Sequence, residues 1–180
     1  MKRGGAVMTE FDDRAQDIED ELQEVRGALL DDTIATLGPA EPICMAPTAT
    51  VEEAIARMLE RRQACVLVVD GDGRLTGILT ERDVLMRVAG AGREPRRTVL
   101  RDVMTPNPEA LTAGHRVAYA VHCMSVAGFR TVPLVDAERR PIGVVTVSDV
   151  IRWLAQLFPE AVLNLPPGDT LKHPHEMDAG

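Results

Sequence analysis

At 180 residues the chain is long enough for one sizeable core or two small ones packed together. A hydrophobic share of 45% suits a globular protein, and an aromatic share of 3% requires that its core be aliphatic. The net charge of −8 argues against a nucleic-acid partner, which needs a basic face against the phosphates, while leaving room for a local basic pocket.

Residues 1–8 read as a disordered lead-in without the apolar core of a signal peptide. Thr9 followed by Asp12 is a capping-box pattern. Phe11, Ala15, Ile18, Leu22, Val25 and Leu29 then recur at helical spacing and form one apolar stripe on an otherwise acidic helix. Packing on its own domain is the simpler reading; a seam with a second subunit is the sharper one, on a stripe too short to require a coiled coil. Leu37 to Pro47 is punctuated by proline, with an extended piece around Ile43 and Cys44. Thr50 and Glu53 form a second capping box, opening a helix through Val51, Ala54, Ile55, Met58 and Leu59. Val66–Val69 is an unbroken apolar run, as expected of a strand covered on both faces. Asp70-Gly71-Asp72-Gly73 has hairpin-turn chemistry, Leu75–Leu79 would return, and Glu81–Val88 would be a second helix.

Ala89–Arg97 is a linker rich in glycine and arginine, after which the order recurs. Val103 to Pro106 enters, an extended piece reaches Leu111, and a helix covers Val117–Val126. That helix is expected to enter two residues later relative to Ala120 than the first does relative to Ala54. A strand pair and a helix over Asp149–Leu157 follow, and the tail from Phe158 reads as an extended strap and then disorder. No apolar run approaches the roughly 18 residues of a membrane span. Cys44, Cys65 and Cys123 lack metal or redox spacing; Cys65 lies beside an apolar run and Cys123 in a helical pattern, which reads as buried thiols in a reducing, cytoplasmic setting.

The order recurs because the residues do. Val66–Val84 reads VLVVDGDGRLTGILTERDV and Val132–Val150 reads VPLVDAERRPIGVVTVSDV. Without a gap, Val66, Val69, Asp70, Arg74, Gly77, Thr80, Asp83 and Val84 meet Val132, Val135, Asp136, Arg140, Gly143, Thr146, Asp149 and Val150, and upstream Ala54 and Met58 meet Ala120 and Met124.

With its strand–turn–strand runs ending GILTERD and GVVTVSD, its Val103–Pro108 entry and its Arg130–Asp136 run, the chain resembles the tandem CBS domain pair, or Bateman module, of stand-alone bacterial type. The resemblance implies an α/β (α+β) fold of two β-α-β-β-α units related by a pseudo-twofold, here preceded by the N-terminal amphipathic helix. The expected divisions are 1–32 for tail and helix, 33–93 and 94–157 for the two units, and 158–180 for the C-terminal strap. It further implies two clefts for adenosine-containing ligands, dimerisation, and control of a partner protein.

Each Thr-x-x-Asp, Thr80/Asp83 and Thr146/Asp149, is by itself a helix cap. It follows a strand carrying Gly77 or Gly143, where a missing side chain would let a ligand approach the backbone. A carboxylate there can accept both ribose hydroxyls, while a hydroxyl and helix amides suit phosphate. The resemblance implies those roles, with Ser148 beside Thr146. Arg130 would clamp phosphate, and its counterpart is Ala64, so unequal sites are expected. The Arg130 cleft would take its purine walls from Cys44–Thr48, including Ala46, and from Gln63, Ala64 and Cys65. The Thr80/Asp83 cleft would take Asn107–Leu111 and Phe129–Thr131.

His115 and His122 have no convergent acid or nucleophile in the sequence, and His173 and His175 flank a proline in the tail, so no catalytic residue, metal ligand or required cofactor is assigned; the two repeats leave no catalytic domain, and no enzyme is expected. The reading is a cytoplasmic regulatory module, homodimeric, that binds AMP, ADP, ATP or an S-adenosyl compound as regulatory ligand. Its partners would be that small molecule and an unknown regulated protein, with no nucleic acid and no membrane span. The alternative is a structural, dimer-forming adaptor with vestigial clefts; a hydrolase or transferase would need a base at the phosphates beyond Asp83 and Asp149.

Overall fold

The computed structural model describes residues 19–157 apart from 21 and 24. The Thr9/Asp12 cap, the stripe before Leu22 and the tail from 158 lie outside the described residues. The rest is two copies of one unit. The first copy contains β1 (Cys44–Met45), α2 (Val51–Arg61), β2 (Cys65–Val69), β3 (Leu75–Thr80) and α3, which opens as an α turn over Glu81–Asp83 and continues in π turns over Val84–Ala89. The second contains β4 (Thr105–Pro106), α4 (Val117–Val126), β5 (Thr131–Val135), β6 (Pro141–Thr146) and α5 (Val147–Leu157). Ahead of both, the described residues of 19–31 are helical and form α1.

The helix starts of the two copies coincide, with and without a side-chain cap. Thr50 accepts from the Glu53 amide while Glu53 accepts from the Thr50 amide, and this capping box opens α2. In α4, Arg116 stands in the cap position and offers no such bond. Both helices nevertheless start three residues before their matched alanines, at Val51 and Val117, so the expected two-residue delay is absent. The reason lies outside the caps. The Val51 amide donates to the Thr98 carbonyl and the Val117 amide to the Asp32 carbonyl, repeat-related positions that fix both starts alike.

The hairpins also match. Cys65 pairs with Thr80 and Thr131 with Thr146, and each ladder shifts register at the same place, after Val68 and after Leu134. Asp70 Oδ1 accepts from the amides of Asp72 and Arg74, and Asp136 Oδ1 from those of Glu138 and Arg140. These turns require a left-handed residue, which is Gly73 at φ 79° in the first copy but Arg139 at φ 66° in the second.

Strand alternation explains the unbroken apolar runs. One face of β2 sends Val66 and Val68 into the first repeat's core with Val51, Ala54, Met58 and Leu79. The other sends Cys65 and Leu67 into a central layer with Leu75, Ile78, Val135 and Val144, which joins the repeats. Full burial of each such Val or Leu is worth about 1.5–3 kcal/mol. In the second repeat Val132, Leu134 and Val145 face a core with Val117, Ala120 and Trp153.

The repeats exchange their leading segments. β4 opens the second copy but pairs with β3 of the first, Gly77 opposite Pro106. In return, Ala40 bridges Val144 of β6. Ile34 and Leu37 pack into the second repeat's core, while the matched Leu100 and Val103 pack into the first's. Trp153 Nε1 donates to Asp32 at 2.9 Å, tying α5 to the end of α1. Ala28 and Leu29 of α1 rest on the second repeat's core, whereas Leu22 is 64% exposed. No helix among the described residues is long and apolar enough to cross a membrane.

Candidate functional site

Each repeat ends its hairpin in a strand that passes directly into a helix, and the Thr-x-x-Asp pairs sit at these two junctions. Asp83 Oδ2 accepts from the Thr80 amide at 3.0 Å and from Thr80 Oγ1 at 2.7 Å, while the Asp83 amide donates back to Oγ1 at 3.2 Å. At the second junction the same three bonds measure 2.8, 2.7 and 3.3 Å between Thr146 and Asp149. Both pairs are therefore complete capping boxes. The second carboxylate oxygen has a cation: Arg87 at 3.3 Å from Asp83 Oδ1, and Arg152 at 3.0 Å from Asp149 Oδ1. Arg87 also donates to the carbonyl of Val103 and to Thr105 Oγ1, anchoring the exchanged segment. Asp149 is 9% exposed, whereas the side chain of its partner Arg152 is 62% exposed.

The space expected for a ligand at Gly77 and Gly143 is occupied by protein. A Cβ on Gly77 would overlap the Met104 sulfur, and one on Gly143 would meet Pro39 Cβ at 3.2 Å and the Ala40 carbonyl at 3.4 Å. These glycines make room for the exchanged segments, because β4 and Ala40 cross the strands at those points.

Backbone pairing also reassigns the walls. An antiparallel hairpin brings the start of its first strand beside the end of its second. Cys65 therefore lies opposite Thr80, and the Glu81 amide donates to the Ala64 carbonyl at 3.0 Å. Gln63, Ala64 and Cys65, expected around Arg130, instead flank the Thr80/Asp83 junction. Cys44 goes with them, since β1 runs parallel to β2 with Cys44 opposite Leu67, and Gln63 Nε2 donates to the Glu41 carbonyl. Ala46 lies exposed in the turn that follows, accepting from the Ala49 amide. In the second repeat the Val147 amide donates to the Arg130 carbonyl and Leu111 bridges Leu134, so Arg130, Thr131 and Leu111 accompany Thr146, Ser148 and Asp149. Backbone pairing thus sets each junction beside residues of its own repeat.

The two junctions differ in charge. Arg130 is exposed, and its guanidinium has no partner among the described residues. Ala64 stands in its place in the first repeat, while Arg82 stands where the second has the exposed Ser148. Each junction thus carries one arginine beyond those paired with its aspartate, at different points. Arg82 was legible from the alignment of GILTERD with GVVTVSD, and Arg87 and Arg152 from their spacing of four and three from the aspartates.

Gln63 Oε1 is buried without a hydrogen-bond partner among the described residues, an unused acceptor beside the first junction. The Cys65 thiol is inert: burial, and secondarily the Glu81 carboxylate, push its pKa up to about 12. Burial and Glu41 raise Cys44 as well. No group of His, Cys, Asp or Glu able to hold a metal occurs among the described residues. A groove of about 420 Å³ between α1 and Ala118 is lined by none of the expected ligand-binding residues.

A family model described as CBS domain matches residues 39–90 and 100–156. The CBS domain-containing protein CBSCBSPB1 of Arabidopsis thaliana is 30% identical over 131 residues, covering 72% of this chain and 24% of that protein. The chain therefore spans about a quarter of that relative's length. Among solved structures, the CBS domain pair of protein MJ0100 in complex with 5-methylthioadenosine and S-adenosyl-L-methionine aligns at TM-score 0.63 and 24% identity, over 69% of this chain and 97% of that one. CBSX2 in complex with AMP aligns at TM-score 0.59 and 22% identity, over 69% and 97%.

Proposed function

This chain belongs to the CBS domain family, and from that premise we propose that it is a regulatory module binding an adenosine-containing ligand at its strand-to-helix junctions. The observation that carries the reading is Arg130. Its carbonyl is bonded to the Val147 amide, which puts the residue at the strand mouth that meets the start of the eleven-residue α5, and its guanidinium is exposed and unpartnered among the described residues. A guanidinium beside a hydroxyl and helix N-terminal amides is an anion site, suited to phosphate.

We take 33–93 and 94–157 as the two binding units. The second would seat phosphate between Arg130, Thr146 and Ser148, with Asp149 facing the ribose and Asn107–Leu111 forming the purine wall. The first, with Arg82, Thr80, Asp83, Gln63 and Cys44, would prefer a ligand of different charge. That MJ0100's pair is described with S-adenosyl compounds and CBSX2 with AMP supports an adenosyl ligand class for this fold. The module acts by differential affinity for two arrangements of its repeats or of two copies, without catalysis of its own. A homodimer in the cytoplasm that controls a partner protein completes the reading. The capping boxes favour the structural adaptor as second reading, because both aspartates already have full structural roles. Isothermal titration of the full chain with AMP separates the two: saturable heat supports the sensor, and its absence at millimolar ligand supports the adaptor.

A further inference from the structure

We propose that Arg139 latches one of the two hairpin seams between the repeats, and that the matching seam at Gly73 and Pro141 is unlatched. Arg139 occupies the left-handed position of its hairpin turn, at φ 66°, where the first repeat has Gly73. A side chain there costs backbone strain that glycine avoids, so its presence needs a compensating contact. The contacts run to Leu75 of the first repeat and to Pro108 in the segment after β4. Arg139 Nε donates to the Leu75 carbonyl at 3.3 Å, and Nη2 donates to the Pro108 carbonyl at 3.1 Å. The Arg139 carbonyl accepts from the Leu75 amide at 2.9 Å. Leu75 begins β3, and Pro108 lies in the segment that leaves β4 on the first repeat's sheet for the Leu111 bridge on the second's. One side chain therefore ties the second repeat's hairpin both to the start of β3 in the first repeat and to the segment that follows β4.

The repeat symmetry predicts a matching seam, and the sequence forbids it. The counterparts of Leu75 and Arg139 are Pro141 and Gly73. Proline has no N–H to donate, and glycine has no side chain to reach across. A Cβ built on Gly73 would meet nothing within 4 Å, so that position faces open space. All three bonds of the latched seam thus lack equivalents at the other. The Gly73 side therefore lacks every bond that Arg139 adds at its own seam, and the repeats there rest on the exchanged segments and the central apolar layer.

Hydrogen–deuterium exchange of the full chain, read by mass spectrometry on wild type, Arg139→Gly and Arg139→Met, tests the latch. Both variants remove the guanidinium, but only Arg139→Gly relieves the backbone. The latch predicts that both speed exchange about fivefold in peptides covering Leu75–Gly77 and Asn107–Leu111. The helix Val51–Arg61, remote from the seam, should keep its wild-type rate in both and so report that each variant is folded. Unchanged exchange at the seam in Arg139→Met, or slower exchange in Arg139→Gly, would overturn the proposal and leave Arg139 a strained turn residue.

Discussion

Replacing Gly77 by alanine tests the segment exchange that holds the two repeats together. The new Cβ would overlap the Met104 sulfur and stand 3.0 Å from its Cγ. Met104 is partly buried against the first repeat's core, so displacing it exposes apolar surface and disturbs β4 where Pro106 lies opposite Gly77. Overpacking of this kind costs about 1–3 kcal/mol. The flexible thioether can give way, which places Gly77→Ala near the lower end, about 1–2 kcal/mol. Met104→Ala alone loses part of a half-buried side chain, again about 1–2 kcal/mol. The double variant should cost little more than Met104→Ala, because the methyl introduced at position 77 enters the space that the thioether leaves. Urea unfolding of the four proteins gives the cycle directly. A coupling of about 1 kcal/mol or more, favourable in the double variant, is expected; additivity within about 0.5 kcal/mol would refute the packing argument.

The caps and the thiols carry the other predictions. Asp149→Ala loses two accepted bonds at the start of α5 and should destabilise by about 1–2 kcal/mol in urea unfolding, with Arg152, 62% exposed on its side chain, adding little. Glu53 is held below the ordinary carboxylate range, first by its bond from the Thr50 amide and then by the Thr50 hydroxyl. A lowered folded pKa means its contribution is present above the unfolded value and lost as pH falls through the folded one. Glu53→Gln should therefore flatten the acid limb of a Tm–pH curve and leave the neutral-to-basic limb parallel to wild type. Iodoacetamide should label Cys44 well before Cys65 or Cys123, read by peptide mass, because Cys44 alone of the three is exposed; equal rates would contradict the packing.

Much of the fold was readable because repetition doubles every weak signal. One Asp-x-x-Gly turn is ambiguous, but Asp70 and Asp136 at the same place in two copies fix both hairpins and their register. The capping boxes at Thr50, Thr80 and Thr146 were legible because they are local, within one helical turn. What sequence spacing did not carry was which repeat owns which contact. Gly77 and Gly143 look like openings until Met104 and Pro39 are found in them, and those neighbours come from the exchanged segments. The walls turn on the same question of ownership. Assigning Gln63–Cys65 to the Arg130 cleft required a cross-repeat arrangement, whereas hairpin pairing keeps them beside Thr80. The π turns of Val84–Ala89, where a plain helix was expected, left no mark in the apolar spacing.

The most direct test of the sensor reading is calorimetric titration of the full chain with AMP and with S-adenosylmethionine, on wild type and on Arg130→Ala. Arg130 is exposed and its side chain has no partner among the described residues, so its removal leaves the fold intact. Loss of a charge-assisted contact to phosphate should weaken AMP binding by roughly tenfold or more. S-adenosylmethionine, which has no phosphate, should lose much less at the same position. Saturable AMP binding with that selective loss is the predicted result. No heat with either ligand, or equal AMP affinity in both proteins, would contradict the account and turn attention to a structural role for the paired repeats.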